Sequence, residues 1–257
     1  MLRGLTPPFT PRGAASLVAP PPWHYAGWLL NVEFECDRDR AAAFVPRELG
    51  AATGRGTVHF ADWQATTDGS ELIDPILSQY RETIVLLELA RPDGPAANFC
   101  PLIYVDQDVS MLRGLLQGWP KKFGSTWLTR SLPLDHPAAA PLRAGTRLGA
   151  SLAVKDRRLV EARLELTGRE GAPLGFLARP TYGTVGWADL TAPERPPELR
   201  YVRPAVTGAV STGWSEARAE LTFLPDAREE LSDLGLIGAT RASAGYAGVT
   251  ITGATPA

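Results

Sequence analysis

The chain has 257 residues, 44% of them hydrophobic and 21% charged, with a net charge of −2 at pH 7. That is ample apolar material for a large packed core. The near-neutral balance, without a long basic run, excludes bulk attraction to nucleic acid or to an anionic membrane surface, and no stretch approaches the roughly 20 apolar residues of a membrane helix.

Residues 1–22, rich in Pro and Gly, read as an extended arm that must dock on the body or on a neighbouring subunit to be ordered. Nothing in "MLRGLTPPFTPRG" forms the continuous apolar region of a secretory leader. Cys36 and Cys100 are therefore expected as reduced thiols in a cytoplasmic setting. "WLLNVEFEC" alternates, with Leu30, Val32, Phe34 and Cys36 on one face, and predicts a half-buried strand. "DRDRAAAFVP" predicts a short helix capped by Asp37 and stopped by Pro46. "TVHFADWQA" and "ETIVLLELA" follow as strands, the second apolar enough to be buried on both faces. "SMLRGLLQG", with a serine start and a glycine stop at Gly118, predicts a helix ending before Pro120.

In the second half, "LVEARLELT" and "EARAELTFL" alternate as antiparallel strands. "PDAREELSDLG" predicts a helix between Pro225 and Gly235, and "GYAGVTITG" a closing strand. Many strands, few helices and no regular βαβ alternation predict a mostly β (α+β) fold, with antiparallel sheets curled around a barrel-like core. No repeat or linker divides the chain, so one domain over 1–257 is expected, with 1–22 as its arm. His24, His59 and His136 lie at no metal-ligand spacing from one another or from a cysteine, so no protein-built metal site is expected.

The stretch "QGWPKKFGS" stands out chemically. Of 26 basic residues only Lys121, Lys122 and Lys155 are lysine. Arginine is always charged, whereas a lysine pKa can be moved far enough to leave a free amine. A lysine pair on an arginine background points to chemistry, although codon bias against lysine leaves the same count. If residues 110–118 are helical, Arg113 and Gln117 lie four apart on one face and lead directly to Lys121. A guanidinium, a carboxamide and an amine then line a wall roofed by Trp119 and Phe123. Guanidinium grips carboxylates and a free amine attacks carbonyls, so the wall suits an oxo acid. Freeing the amine requires a pKa drop of about 3 to 4 units from ~10.4, by burial or by a neighbouring cation. Lys122 is the candidate cation, but side chains at i and i+1 of a strand face opposite ways, which leaves burial of Lys121 as the other cause.

"RGLLQGWPKKFGSTWLTR" resembles the acetoacetate decarboxylase superfamily, and the similarity runs from about Trp28 to about Gly253. "VPRELG", "HFADWQ" and "SQYRETIVLL" also look like family landmarks. The resemblance implies that Lys121 is the Schiff-base lysine, a type of activated nucleophile for which acetoacetate decarboxylase is itself the standard example, and that Glu82 is an active-site glutamate. It also places a second decarboxylase glutamate at Ala61 and an arginine at Gly27, so neither side chain is present here. Arg113 and Gln117 instead resemble a branch that uses pyruvate-like 2-oxo acids for aldol condensation, dehydration or hydration. That branch implies roles for Tyr246 and Trp23.

The expectation is a Schiff-base lyase for small 2-oxo acids. Lys121 forms the imine, Arg113 holds the carboxylate, Gln117 bonds the carboxylate or carbinolamine oxygen, and Glu82 with Tyr246 moves protons. No cofactor or metal is needed. A β-keto acid decarboxylase and a non-catalytic small-acid binder are the alternatives. The wall at 72–80, "LIDPILSQY", is expected to shape specificity, and the resemblance implies a homo-oligomer of four or more chains.

Overall fold

The computed structural model describes residues 1–92 and 94–257. Its elements in chain order are β1 (Trp23–Cys36), α1 (Arg38–Ala43), β2 (Ala51–Thr66), α2 (Pro75–Ser78), β3 (Gln79–Ala90), β4 (Ala97–Val105), α3 (Asp108–Gln117), β5 (Lys121–Phe123), β6 (Ser125–Leu128), β7 (Arg147–Val154), β8 (Arg157–Glu170), β9 (Thr181–Val185), β10 (Arg200–Ser211), β11 (Ser215–Phe223) and β12 (Leu236–Pro256). Strands dominate, and all belong to one hydrogen-bonded sheet. Its path runs β1-β2-β3-β4-β9-β10-β12-β11-β8-β7-β6, and the antiparallel pairing of β1 with β12 closes β1 through β12 into a ring. The expectation of curled, barrel-like sheets with a few short helices therefore holds. Pairing is antiparallel except where β4 meets β5 and β9, which run parallel to it.

The strands have two differently furnished faces, as the period of two demands. On β1, Trp28, Leu30, Val32, Phe34 and Cys36 enter the main core with Val58, Phe60, Val85 and Leu87, against Leu152, Val160, Leu164 and Leu221 of the second half. Leu29 faces the other way, into a smaller cluster with Ala61, Trp63, Tyr80 and Val105. β1 is covered on both faces only in its middle: on the side expected to be solvated, Asn31 is 0% exposed, whereas Glu33 is partly exposed and Glu35 open to solvent, as the alternation predicts. α1 is capped by Asp37, which accepts from the amides of Asp39 and Arg40.

The helix expected at 225–235 does not form. Only a 3-10 turn at Leu231–Leu234 is present, and Glu230 sits in the left-handed region at φ 53°. Tertiary demands override local propensity here: Glu229 accepts from Tyr104 Oη at 3.1 Å, while Leu231 and Leu234 turn into the core. Residues 1–22 contain no helix or named strand. Thr6 and Ser16 bond across the arm, and Val18 packs against Trp23 and Ile251.

His59 lies fully buried beneath the 3-10 turn Gly175–Leu177, its Nδ1 2.7 Å from Asn31 Oδ1. Burial lowers its pKa from 6.5 to about 3. The unfolded chain thus binds a proton that the folded protein refuses, so this residue lowers stability as pH falls from 6.5 toward about 3. Over that window its contribution to unfolding free energy declines by about 1.4 kcal/mol per pH unit. Chemical denaturation of wild type and His59→Gln at several pH values should show a shallower acid loss in the variant; parallel pH profiles would contradict this.

Candidate active site

α3 is built inside out. Ser110, Arg113, Gly114 and Gln117 recur at i, i+3, i+4 and i+7 on its buried face, while Leu116 is 39% exposed. Gln107 caps the start by accepting from Ser110 N, and Gly118 ends the helix in the left-handed conformation at φ 91°. The chain then passes Trp119 and Pro120 and pairs β5 beside β4, with Ile103 opposite Lys121 and Tyr104 opposite Lys122.

That register sends the two lysines to opposite faces. Lys121 reaches the cluster side, its side chain 6% exposed, with Nζ 2.8 Å from Glu82 Oε2 and 2.9 Å from Ser110 Oγ. The contact with Glu82 is ionic and lies off the hydrogen-bonding direction, whereas Ser110 accepts an aligned bond. Tyr80 places its ring centroid 5.2 Å from Nζ. Glu82 Oε1 is fixed from β2 by the indole N–H of Trp63 at 2.7 Å.

Around Nζ, a cavity of about 130 Å³ is walled by Tyr25, Trp63, Tyr80, Trp119, Phe176 and Leu177, among others, with Gln117 and Glu82 as polar lining. This is well below the roughly 300–1,000 Å³ of sites for drug-sized ligands, and suits a substrate of a few carbons. Gln117 Nε2 donates to Tyr25 Oη at 3.1 Å. Arg113, 3% exposed, donates through Nη2 to Glu71 Oε1 at 3.2 Å. Both phenols stay protonated at neutral pH: burial, eased by Arg113 and Gln117, brings Tyr25 up to about 12, and burial with the nearby Glu82 raises Tyr80. A larger crevice of about 370 Å³ around Glu33, Arg55, Glu88, Arg179 and Arg241 is lined by ion-paired side chains and no nucleophile. No cluster of His, Cys, Asp or Glu able to hold a metal occurs among the described residues.

The fold thus brings Lys121, Glu82 and Gln117 to one cavity, sets Arg113 one turn from Gln117 on the same buried face of α3 but outside that lining, and leaves the other candidates elsewhere. Lys122 Nζ turns to the far face and pairs with Glu229 at 2.6 Å, so its charge is neutralised away from the Lys121 amine. Tyr246 sits on the face of β12 opposite Val249 and Ile251, stacks on Trp28 at 4.9 Å and donates to Ser131 O. Trp23 is packed behind α3 with Val18, Val109 and Ile251, its N–H on Ala19 O. Phe123 is 50% exposed, and Phe176 shares the roof with Trp119 instead. Of the wall expected at 72–80, only Tyr80 lines the cavity; Leu72, Ile73, Ile76 and Leu77 are exposed.

Gly114, Ser110, Tyr25 and Trp63 escaped the sequence reading. The i, i+3, i+4, i+7 stripe of small and polar residues on a leucine-rich helix was a legible signal for the first two. Gly114 matters through what it lacks: a Cβ there would overlap the Cγ, Cδ and Cε of Lys121, which lie across the helix. Gly114→Ala should displace Nζ and lower the rate of any Lys121 chemistry by roughly a hundredfold with the fold intact by circular dichroism. An unaffected rate would show that the amine is not held by this contact.

The chain matches the family model described as acetoacetate decarboxylase (ADC) over residues 6–257. No curated protein matches it. Among solved structures it is similar to the enduracididine biosynthesis enzyme MppR in complex with the condensation product of pyruvate and imidazole 4-carboxaldehyde, with 29% identity, a TM-score of 0.91, and coverage of 100% of this chain and 97% of that one. A pyruvate complex of MppR matches at 28% identity and TM-score 0.90, covering 100% and 98%. An acetoacetate decarboxylase-like enzyme from Sphingomonas wittichii RW1 matches at 25% identity and TM-score 0.85, covering 99% of each chain. Its lysine-bearing fold and the match along nearly its whole length make this chain a member of the acetoacetate decarboxylase family.

Proposed function

We propose that the protein is a Schiff-base-forming lyase that takes a small 2-oxo acid of the pyruvate type through enamine chemistry. The observation that carries this reading is the buried amine of Lys121 in contact with one carboxylate, Glu82, beside Gln117 in a small aromatic cavity, with Arg113 one turn away on the same buried face of α3. Glu82, 2.8 Å from Nζ, can accept the ammonium proton and leave the free amine. Nζ then adds to the keto carbon, and the resulting carbinolamine loses its oxygen as water when Glu82 returns a proton. The iminium draws electrons from the adjacent carbon, so transfer of a C–H proton to Glu82, a carboxylate again after the loss of water, gives an enamine. The enamine carbon adds to an aldehyde, whose oxygen takes up a proton, and water releases the product from the lysine. Ser110 holds Nζ and Gln117 lines the cavity beside Tyr25, while Arg113, one turn earlier on the same buried face of α3, is the group to which we assign the carboxylate.

Two positions favour condensation over decarboxylation. Ala61 pairs directly with Glu82 in the β2–β3 register, so a glutamate there would set a second carboxylate beside the first; here the spot is apolar. Gly27 faces Trp63, whose ring occupies the space a larger residue at 27 would need. The indole that stands there fixes Glu82. MppR, solved with pyruvate and with a pyruvate condensation product, adds support from a related chain.

The test is intact mass and peptide mapping after incubation with pyruvate and sodium borohydride. A reduced adduct on Lys121, absent in Lys121→Arg, is expected, with no carbon dioxide released from acetoacetate. Absence of any adduct between about pH 6 and 9 would defeat the proposal, and rapid lysine-dependent release of carbon dioxide would replace it with the decarboxylase reading.

A further inference from the structure

Arg113 already has partners within the chain. Its buried Nη2 lies 3.2 Å from Glu71 Oε1 and 3.5 Å from Thr67 Oγ1, while its buried Nε has no partner. Glu71 depends little on that contact. Its carboxylate accepts from Thr66 Oγ1 at 2.7 Å and from Thr67 N at 3.0 and 3.2 Å, all within its own loop. Burial would raise its pKa, but these hydrogen bonds outweigh it and bring the carboxyl down to about 2, so it is charged at any working pH. The loop therefore presents a fixed negative charge to one side of the guanidinium, whose Nε is left with hydrogen-bonding capacity unused.

We propose that Glu71 is a specificity-determining residue, a resident counter-charge that sets how tightly Arg113 holds a substrate carboxylate. This rests on the reading above that Arg113 receives the carboxylate of a 2-oxo acid. An incoming carboxylate shares the guanidinium with Glu71 and is repelled by it, so the grip is weaker than that of an unpaired buried arginine. A neutral carbonyl compound meets no such competition. Glu71 thereby holds back the affinity for small acids and narrows the margin by which acids are preferred over neutral ketones.

The experiment compares wild type, Glu71→Gln and Glu71→Asp by borohydride trapping on Lys121 across a concentration series of pyruvate and, separately, of acetone. Half-saturation is the readout because, unlike yield, it does not depend on how much protein is folded. Glu71→Gln should lower half-saturation for pyruvate by about fivefold or more and leave that for acetone unchanged. Glu71→Asp, which draws the charge back from the guanidinium, should move the same way by less, and serves if the glutamine variant fails to fold. The gain should vanish when Arg113→Gln is added. An unchanged or raised half-saturation for pyruvate, or an equal shift for acetone, overturns the proposal while leaving the imine reading standing. Trapping of neither compound in any variant removes both.

Discussion

An amine and a carboxylate 2.8 Å apart, each on a side chain only 6% exposed, are costly to bury. Removing two charges from water costs several kcal/mol per ion, and mutual attraction offsets this only if the remaining hydrogen-bonding capacity is also met. The surrounding structure meets part of it, although Glu82 Oε2 accepts no hydrogen bond. Ser110 accepts from the amine, Trp63 donates to the carboxylate, and Tyr80 offers its ring to the cation. Each comes from a different element, so α3, β2, β3 and β5 are bound to one another through this pair. Gly114 and Gly27 are the consequences in backbone form, the first making room for the lysine stem and the second for the indole that anchors Glu82.

Much of this was legible because the physics involved is local. Alternation in "WLLNVEFEC" placed Leu30, Val32 and Phe34 in the core, where they are 0% exposed. The helical spacing of Arg113 and Gln117 placed both on the buried face of α3, and the short run to Lys121 set the amine beside Gln117 in one cavity. What was hidden depends on distant partners. Tyr25 and Lys121 are 96 positions apart, and only the closure of β1 on β12 and the docking of α3 bring them into one cavity. The failed helix at 225–235 has the same origin: "AREELSDL" favours a helix, but Glu229 is drawn to Lys122 and Tyr104. Tyr246 and Trp23 were suggested by resemblance and had no periodicity argument behind them; strand parity places Tyr246 on the far face.

The lysine pair illustrates how one register decides two roles. Adjacent residues of a strand must diverge, so a dipeptide that looks like a single functional unit is divided between two clusters. Lys121 joins the face of Ile84, Cys100 and Ile103, and Lys122 the face of Tyr104. Lys122 then ties β5 to the 225–235 segment through Glu229, which braces the short strand from behind. On this geometry Lys122 gives mechanical support, its charge paired on the far side of the strand from the Lys121 amine.

The strand β12 carries a further consequence for how the molecule comes to exist. It spans Leu236–Pro256 and pairs with β1, β10 and β11, joining Trp23 to Ile251 and Ala244 to Ser215. Val249 and Ile251 line the cavity from this strand while Tyr25 lines it from β1. The chamber around Lys121 is therefore a late product of folding. It waits for loop closure across most of the chain, whose entropy must be met before these pairings return anything. During synthesis, the early strands emerge with apolar faces and no partner to cover them, and a ribosome-bound fragment ending before β12 carries the lysine but no enclosure around it.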